Sequence, residues 1–321
     1  MLDRTLTVRV TRIVRQTPEI LAFELSHPWG RALPPYSAGA HVDIHTPGGF
    51  TRQYSIAGAL AATSPAFYMV AVKREPESRG GSASMHERVR VGDLLPISAP
   101  RNTFPIRPEA RRHVLLAGGI GMTPLLAMAQ TLAAQNANFE FCCFARSLEH
   151  LAFADALRDP ALAAHVRLHF DDIAATQKID LSSLLATATT DTHLYVCGPS
   201  GFMQAVRKAA AHWPEEVIHA EYFAPPSTGE GQGSDSRFEL VLARRGITVP
   251  VAADQTAVSA LHDVGIDVPT SCEQGLCGTC VVGCLEGAPV HRDFCLTSAE
   301  RRQKIALCCS RAQGGRLVLD L

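Results

Sequence analysis

Residues 272–280 read CEQGLCGTC, so this stretch holds three cysteines and two glycines. A further ligand is available well downstream, at Cys308 or Cys309. The spacing Cys-x4-Cys-x2-Cys with one distant cysteine is typical of a plant-type [2Fe–2S] site. Glycines at 275 and 278 let the backbone approach inorganic sulfur closely and donate N–H groups to it. The stretch therefore predicts an iron–sulfur domain.

Two other interpretations of the cysteines are weaker. A structural zinc site takes two close pairs of ligands, whereas Cys277 and Cys280 form one such pair and Cys308 and Cys309 are adjacent. A group of ordinary buried thiols is the second alternative. The remaining nearby residues, Cys284 and Cys295, are expected to be core or surface thiols. From the spacing alone, the choice between Cys308 and Cys309 stays open.

Composition narrows the class of protein. The chain has 321 residues, a formal net charge of −1 and 46% hydrophobic residues. It has no dense run of lysine and arginine, so we expect no nucleic-acid or membrane-surface partner. Neither a signal-like segment nor an apolar run of about 18 residues is present, which predicts a cytoplasmic protein. Ten cysteines in such a chain indicate metal or redox chemistry rather than disulfides.

The patterning predicts a multidomain chain. Residues 1–107 contain short β-type runs between Pro and Gly clusters, which favours an antiparallel β-barrel. Residues 108–225 alternate strands and helices, which favours a doubly wound α/β domain with a parallel sheet. The Gly- and Ser-rich residues 226–236 are expected to be a linker. Residues 237–321 show a hairpin, a helix and a final strand, the pattern of an α+β β-grasp domain.

A glycine turn follows the first strand of the α/β domain, in the sequence AGGIGMTP at 117–124. Gly119 and Gly121 suit a phosphate-binding turn, and Pro124 stands where a third glycine is usual. Proline suits the first turn of a helix, so we expect a helix here with Thr123 as its N-cap. Alone, such a turn is a weak indication of a nucleotide site.

A second turn, VCGP at 196–199, follows a later strand of the same sheet. It could be an ordinary strand-to-helix connection. The end of the last strand carries Glu221, Tyr222 and Phe223. Together with the first turn, these residues favour a nucleotide site at the carboxyl edge of the sheet.

The barrel region carries two weaker signals. RQYSIAG at 52–58 places Arg52 and Tyr54 on one face of a strand, since side chains alternate, with Ser55 beside them. RGGSAS at 79–84 precedes a helical pattern and suits phosphate, with Lys73 nearby. Either motif alone could be a chance strand or turn; together they indicate a flavin with a phosphate tail.

The order of these motifs identifies a family. RxYS, GGS, GGIGMTP, CGP and an aromatic after an acid resemble the ferredoxin–NADP reductase superfamily. With a plant-type ferredoxin domain at the C-terminal end, the whole chain resembles the phthalate dioxygenase reductase family. VKRE at 72–75, PRNTFP at 100–105 and HRD…LT at 291–297 strengthen the resemblance.

The resemblance implies the cofactor sites. FMN would be held by Arg52, Tyr54, Ser55, Lys73, Gly80, Gly81 and Ser82, with Thr123 approaching and Phe223 covering the flavin. The nicotinamide site would be lined by Gly119, Gly121, Arg146, Cys197, Gly198, Pro199 and Met203. The cluster ligands would be Cys272, Cys277, Cys280 and Cys308. The last assignment follows because CCSRA at 308–312 resembles a Cys-Val-Ser-Arg-Ala ending.

The identity of the nucleotide rests on the resemblance. No acid follows the second strand of the α/β domain, where a ribose-binding carboxylate is usual. Arg146 and Ser147 stand there instead and could suit a 2′-phosphate. Relatives with the Ala-Arg-Ser sequence nevertheless prefer NADH, so NADH is expected. FMN rather than FAD is likewise implied by the family and not by the barrel sequence.

The resemblance implies an NADH-dependent oxidoreductase that passes electrons from NADH through FMN and the cluster to an oxygenase. The expected partner is the terminal component of a Rieske-type aromatic ring dioxygenase or O-demethylase, bound transiently by a monomeric reductase. Hydride transfer needs no acid–base catalyst, so none is assigned. The alternatives are a reductase for a carnitine-type or cytochrome P450 system, and a passive iron–sulfur carrier without NADH activity.

Overall fold

The computed structural model describes residues 5–58, 64–76, 80–172, 178–187, 191–223 and 236–321. These residues divide into two compact units, Met1–Phe223 and Ala224–Leu321. The barrel and the parallel sheet thus share the first unit. The predicted linker at 226–236 lies outside the described residues except for Ser236.

The first unit begins with an antiparallel sheet in which the strand order is β4-β3-β6-β1-β2-β5, with β7 beside β3. Its strands are β1 Thr5–Thr17, β2 Ile20–Ser26, β3 Ala40–His45, β4 Thr51–Ser55, β5 Phe67–Lys73, β6 Leu94–Ser98 and β7 Arg101–Asn102. Ile56 bridges Val70, and the Ala57 N–H donates to the Met69 carbonyl at 2.7 Å. Because this contact joins the end of β4 to β5, the sheet closes into the predicted barrel.

The interior of the barrel is filled by apolar side chains from alternate positions on its strands. Val8 and Val10 on β1 and Val42 and Ile44 on β3 are fully buried in one apolar cluster. Residues two apart on a strand share a face, so these valines and isoleucines point to the same interior. Helix α1, Gly81–Arg88, adds the fully buried Met85 to this cluster.

The second part of the same unit is a five-stranded parallel sheet with the order β10-β9-β8-β11-β12. Its strands are β8 Arg112–Gly118, β9 Asn138–Ala145, β10 Val166–Phe170, β11 Thr192–Cys197 and β12 Ile218–Glu221. The helices are α2 Met122–Ala134, α3 Ala154–Leu157, α4 Pro160–Ala163, α5 Leu181–Leu184 and α6 Ser200–Ala209. Apolar clusters lie on both faces of the sheet, which explains the continuous apolar run in β8.

The start of α2 corrects one prediction. The helix begins at Met122, after a 3-10 turn over Gly119–Gly121, so its N-cap is Gly121 and not Thr123. Thr123 lies inside the helix, and its hydroxyl donates to the Ile120 carbonyl at 3.1 Å. A threonine N-cap would instead accept from a backbone N–H. Gly121 takes the cap because the glycine turn is already helical.

The second unit is a mixed five-stranded sheet with the order β14-β13-β17-β15-β16, packed on helix α7. Its elements are β13 Phe238–Leu242, β14 Ile247–Val251, α7 Ala257–Asp263, β15 Val281–Val290, β16 Lys304–Ala306 and β17 Arg311–Leu319. Thr256 caps α7 by accepting from Ser259 N–H, and Gly265 with φ +76° ends it. The parallel pairing of β13 with β17 gives the predicted β-grasp arrangement.

Among the described residues, no helix combines the length and the apolar character needed to cross a bilayer.

Candidate functional site

The two glycine turns lie at the centre of the parallel sheet. β8 and β11 are neighbours there, with β9 and β10 on one side and β12 on the other. A Cβ at Gly121 would lie 2.1 Å from the Cys197 carbonyl oxygen, and one at Gly198 would lie 3.0 Å from the Gly118 Cα. The backbones of the two turns therefore touch. In open α/β sheets, ligands bind outside the carboxyl ends of the strands at such a reversal of strand order.

The residues around these turns differ in what they expose. Cys197 is fully buried, and burial raises the pKa of its thiol, with the Glu221 carboxylate adding to the effect. Met203 is 1% exposed and belongs to the apolar core of the sheet. Phe202 instead lies against the glycines, since a Cβ at Gly118 would be 2.8 Å from its ring. Pro199 is the N-cap residue of α6.

Ser55 and Glu221 connect the barrel to the sheet. Ser55 ends β4, Glu221 ends β12, and the Ser55 hydroxyl donates to Glu221 Oε2 at 3.1 Å. Cys197 is the β11 neighbour of Glu221 in the parallel register. The candidate flavin strand and the candidate nucleotide edge therefore meet at this hydrogen bond. Phe223 follows two residues later and is 39% exposed, so its ring is available to cover a ligand.

Burial raises the pKa of Glu221 to about 7, although the Ser55 hydrogen bond opposes the shift. The carboxyl of a glutamate in an unfolded chain ionises near pH 4.5. Between about pH 4.5 and pH 7 the folded carboxyl therefore keeps a proton that the unfolded one has lost. A raised pKa in the folded state contributes stability below about pH 4.5 that is lost as the pH rises through about 7.

We therefore expect Glu221→Gln to stabilise the first unit more at pH 8.5 than at pH 5. The amide is neutral at both pH values, so it avoids the cost of a buried carboxylate, on the order of 2 kcal/mol. That cost corresponds to about 5 °C in Tm for a unit of this size. Thermal unfolding at the two pH values measures the difference, with the exposed Glu215→Gln as control. An equal change in Tm at both pH values would contradict the raised pKa.

The arginine and tyrosine of the candidate flavin strand are half-buried. The Arg52 guanidinium lies over the Phe50 ring, 5.2 Å from its centroid, and donates to the Thr51 carbonyl. Tyr54 packs against the barrel core, and burial raises the pKa of its phenol. The strand thus presents a cation and an aromatic next to Ser55, as an aromatic ring system with an anionic tail would need.

The second flavin motif forms the start of α1. Gly80 is its N-cap, with φ +93°, where a Cβ would lie 2.2 Å from the Phe50 ring. A Cβ at Gly81 would lie 2.6 Å from Arg52 Cγ, so both glycines are required for this close packing. The Ser82 hydroxyl accepts from Glu75 N–H, and Lys73 pairs with the Glu75 carboxylate at 3.0 Å. The structure brings both flavin motifs together around Phe50 and Arg52.

Arg146 follows β9, on the carboxyl edge of the sheet. Its guanidinium donates to Glu19 Oε1 at 2.7 Å, and Glu19 lies in the turn between β1 and β2 of the barrel. This hydrogen bond is the main cause of a lowered pKa at Glu19. The predicted nucleotide residue is therefore already paired with an acid from another part of the unit.

The loop 272–280 surrounds one sulfur with backbone donors. Cys272 Sγ accepts from Gln274, Leu276 and Cys277 N–H groups at 3.3–3.4 Å. Gly275 and Gly278 both have φ +73°, a left-handed conformation that glycine adopts without strain. A Cβ at Gly275 would lie 2.9 Å from Asp293 Cα, so the loop needs glycine there for space as well. Such converging N–H groups suit a negatively charged iron–sulfur cluster.

The four predicted ligands lie in two pairs. A hydrogen bond that the Cys272 thiol donates to Cys277 raises the pKa of Cys272 and lowers that of Cys277. A second hydrogen bond, donated by the Cys280 thiol to Cys308, raises the pKa of Cys280. Two pairs of sulfurs suit two irons with two thiolates each. Among the described side chains, no group of three or more His, Cys, Asp or Glu is arranged for a single metal ion.

The two adjacent cysteines at the distal position both lie near Gly275 and near each other, but their sulfurs have different hydrogen-bond partners. Cys308 Sγ accepts from Gly275 N–H at 3.2 Å and is 5% exposed. Cys309 Sγ instead lies 3.9 Å from the Ala306 carbonyl oxygen and 3.8 Å from Ser310 Oγ. Of these two sulfurs, Cys308 Sγ is the one that accepts a hydrogen bond from a backbone N–H of the cysteine loop. Cys284 lies on β15, and its pKa is raised by burial.

A buried polar network lies behind the cysteine loop. The Asp293 side chain is fully buried; its carboxylate accepts from Leu296 N–H at 3.1 Å and lies 3.1 Å from His291 Nδ1. Arg301 donates to the Asp293 carbonyl, and the Phe294 N–H donates to the Gly275 carbonyl at 2.9 Å. These hydrogen bonds hold residues 291–294 in place against Gly275. The HRD motif at 291–293 therefore helps to position the cysteine loop 272–280.

Four residues at these sites are not among those predicted from the sequence: Glu19, Glu221, Asp293 and His41. Glu221 was noted only as the acid before the terminal aromatic, and Asp293 only as part of the HRD motif. His41 gave no signal, yet it lies opposite Ser55 in the β3–β4 register and is 1% exposed. Within the described part of the chain neither of its ring nitrogens has a hydrogen-bond partner, and burial lowers its pKa to about 4.

Comparisons with known proteins identify relatives of this chain. Residues 240–313 match the family described as 2Fe-2S iron-sulfur cluster binding domain. Residues 98–216 match the N-terminal domain of proteins like the dimethylamine monooxygenase subunit DmmA. The chain is 46% identical to a vanillate O-demethylase oxidoreductase of Pseudomonas sp., over 98% of both chains. It is 35% identical to the phthalate dioxygenase reductase of Burkholderia cepacia, over 99% of this chain and 98% of that protein.

Two solved structures match almost the whole chain. A phthalate dioxygenase reductase, described as modular for electron transfer from pyridine nucleotides to [2Fe–2S], matches with a TM-score of 0.73 and 34% identity, over 99% of this chain and 98% of that one. A type IV self-sufficient cytochrome P450 monooxygenase matches with a TM-score of 0.87 and 40% identity. The match covers 99% of this chain but only 41% of that monooxygenase.

The fold, the motifs and these matches define a class of protein. The chain is an oxidoreductase of oxygenase systems, which moves electrons from a pyridine nucleotide through a flavin to a [2Fe–2S] centre. Within that class it belongs to the phthalate dioxygenase reductase family. The predicted resemblance and the predicted fold class are therefore confirmed.

Proposed function

We propose that the protein takes electrons from NADH through FMN and a [2Fe–2S] cluster and delivers them singly to a terminal oxygenase. The observation that carries the proposal is that one chain combines two sites. The first unit has the Ser55–Glu221 junction between barrel and sheet, and the second has the paired cysteines. When bound, the flavin accepts a hydride and releases single electrons, and the cluster carries them one at a time.

The protein's own residues orient the reactants. In this proposal Arg52, Tyr54 and the start of α1 hold FMN, and Ser55 with Glu221 fixes the edge that the nicotinamide approaches. The touching turns at Gly119–Gly121 and Cys197–Pro199 support the nucleotide, and Phe223 shields the flavin from water. The Ser55 hydroxyl donates to Glu221, so these two side chains are satisfied before any ligand arrives.

The second unit would hold the cluster through Cys272 and Cys277 on one iron and Cys280 and Cys308 on the other. Backbone N–H groups of Gln274, Gly275 and Leu276 donate to these sulfurs. Such donors stabilise negative charge, so they favour the reduced cluster and help to set its potential.

We propose a Rieske-type aromatic dioxygenase or O-demethylase as the partner of a monomeric reductase. The 46% identity to a vanillate O-demethylase oxidoreductase supports this choice. Docking should be transient, since an electron carrier must leave after each transfer. A cytochrome P450 partner is the second candidate, favoured by the match to the self-sufficient P450.

We propose that the protein is cytoplasmic. Its thiols must stay reduced to bind iron, and the cytoplasm keeps thiols reduced. We also place functional boundaries at 1–107 for the FMN part, 108–225 for the NAD part, 226–236 for a linker and 237–321 for the ferredoxin part. The first two parts share one compact unit.

The test is the composition and redox behaviour of the purified protein. We expect one FMN and one [2Fe–2S] per chain, and anaerobic NADH should bleach both chromophores because the electron path is complete within one polypeptide. Acid extraction identifies the flavin, and iron and sulfide analysis measures the cluster. Zinc in place of iron, FAD in the extract, or a cluster that NADH does not reduce would each overturn part of the proposal.

The partner is tested by adding the reduced protein to a Rieske-type O-demethylase component and, separately, to a cytochrome P450. Faster product formation with the demethylase supports the Rieske assignment. Faster turnover of the P450 would establish the second candidate instead.

A further inference from the structure

The carboxyl edge of the parallel sheet combines an arginine with an acid from outside the sheet. In dinucleotide-binding folds, a carboxylate after the second strand binds the ribose 2′-hydroxyl, whereas an arginine there accommodates a 2′-phosphate. Here the second strand, β9, ends at Ala145 and is followed by Arg146. By this criterion alone the site would favour NADPH.

Tertiary structure adds the missing carboxylate. Glu19, in the turn between β1 and β2, lies 2.7 Å from the Arg146 guanidinium. The turn is held independently of Arg146: Glu19 N–H donates to Thr17 Oγ1 at 3.3 Å, and the Glu19 carbonyl accepts from Arg74 N–H at 2.8 Å. The backbone at Glu19 is therefore held by contacts other than the ion pair with Arg146.

A second contact fixes this turn against the α/β part. Gln16 Oε1 accepts from Phe153 N–H at 3.0 Å, and Ile20 and Ala22 pack with Ala152 in a small apolar cluster. The acid is thus held at the sheet edge by backbone and apolar contacts. Arg146 remains 59% exposed and Glu19 39% exposed on their side chains, so a ligand can reach both groups.

We propose that Glu19 is a specificity-determining residue that makes this site select NADH over NADPH. Its carboxylate occupies the guanidinium that a 2′-phosphate would need and repels the phosphate charge. NADH carries a neutral hydroxyl at the ribose 2′ position. It therefore needs no free guanidinium there and is not repelled by the Glu19 carboxylate. The proposal rests on the proposed NADH-dependent function and names the source of its nucleotide preference.

The test compares holoprotein variants in anaerobic flavin reduction by NADH and by NADPH. We expect Glu19→Gln to raise the NADPH-to-NADH ratio of kcat/KM about tenfold, equivalent to about 1.4 kcal/mol. The gain should disappear in the Glu19→Gln/Arg146→Ala double variant, because no guanidinium remains for the phosphate. The exposed Glu149→Gln is the matched control, since it removes a negative charge near Arg146 without disrupting the pair.

Three results would overturn the proposal. One is an unchanged ratio in Glu19→Gln; another is an equal rise for both nucleotides, which would mean that Arg146 binds the pyrophosphate they share. The third is an equal change of the ratio in Glu149→Gln, which would indicate general surface charge. Flavin content and Tm of each variant separate loss of folding from loss of selectivity. If the wild-type flavin is reduced by neither nucleotide, the proposed function itself fails, and this outcome is distinct from the three above.

Discussion

Cys308→Ser should yield protein that retains flavin but lacks the [2Fe–2S] cluster, whereas Cys309→Ser should keep the cluster. The reason is the direction of the two sulfurs. Cys308 Sγ accepts from Gly275 N–H and forms a hydrogen bond with Cys280, while Cys309 Sγ lies against Ala306 and Ser310. The serine hydroxyl is a harder and poorer ligand for an iron–sulfur cluster than a thiolate, so the cluster should be lost during assembly or purification.

The measurement is the EPR signal of the dithionite-reduced protein together with iron and sulfide content. Cys309→Ser is the matched control, since it makes the same chemical change one residue away. Cys295→Ser is a second control, because Cys295 lies near the loop, where burial raises its pKa, but is not paired with a predicted ligand. A lost signal in Cys309→Ser with a normal signal in Cys308→Ser would show that the other cysteine is the ligand.

Removal of residues 224–321 should produce a yellow flavoprotein that still oxidises NADH with ferricyanide. The first unit keeps its own apolar cores, in the barrel and on both faces of the parallel sheet, so we expect it to fold without the second unit. Ferricyanide is small enough to take electrons directly from the flavin. NADH oxidation with this acceptor measures whether the first half of the path survives.

The same truncated protein should lose almost all ability to reduce cytochrome c or to support an oxygenase. In the proposed path single electrons leave through the cluster, and all four candidate ligands belong to the removed unit. The control is full-length Cys309→Ser, which should support both reactions. Oxygenase turnover by residues 1–223 at the full-length rate would mean that the cluster is not the exit for electrons.

Local patterns were sufficient for most of the fold. Alternating apolar residues in β1 and β13 and the continuous apolar run in β8 identify an antiparallel and a parallel sheet, because burial of one face or of both leaves a different period in the sequence. The candidate ligands Cys272, Cys277 and Cys280 were also recognisable from a local pattern. They lie within nine residues, so their spacing is written in the chain.

The start of α2 shows where a local rule fails. Threonine before proline is a common helix start, but a turn of 3-10 helix over Gly119–Gly121 had already begun the helix. Gly121 packs against the Cys197 carbonyl, a contact between chain segments that no local propensity contains. This tertiary contact accompanies a helix start at Met122, with Gly121 and not Thr123 as the N-cap.

By itself the sequence determined the class of fold, the order of the domains, the family and the short-range part of the cluster loop. Only the tertiary structure decided which side chains meet across the chain. Ser55 reaches Glu221 over 166 positions, and Arg146 reaches Glu19 over 127. It also brought the Gly275 N–H to Cys308 Sγ, 33 positions along the chain, and the choice of Cys308 as fourth ligand stays a prediction. Spacing records contacts within one segment, whereas contacts between segments depend on how strands and helices pack, and packing is a property of the whole fold.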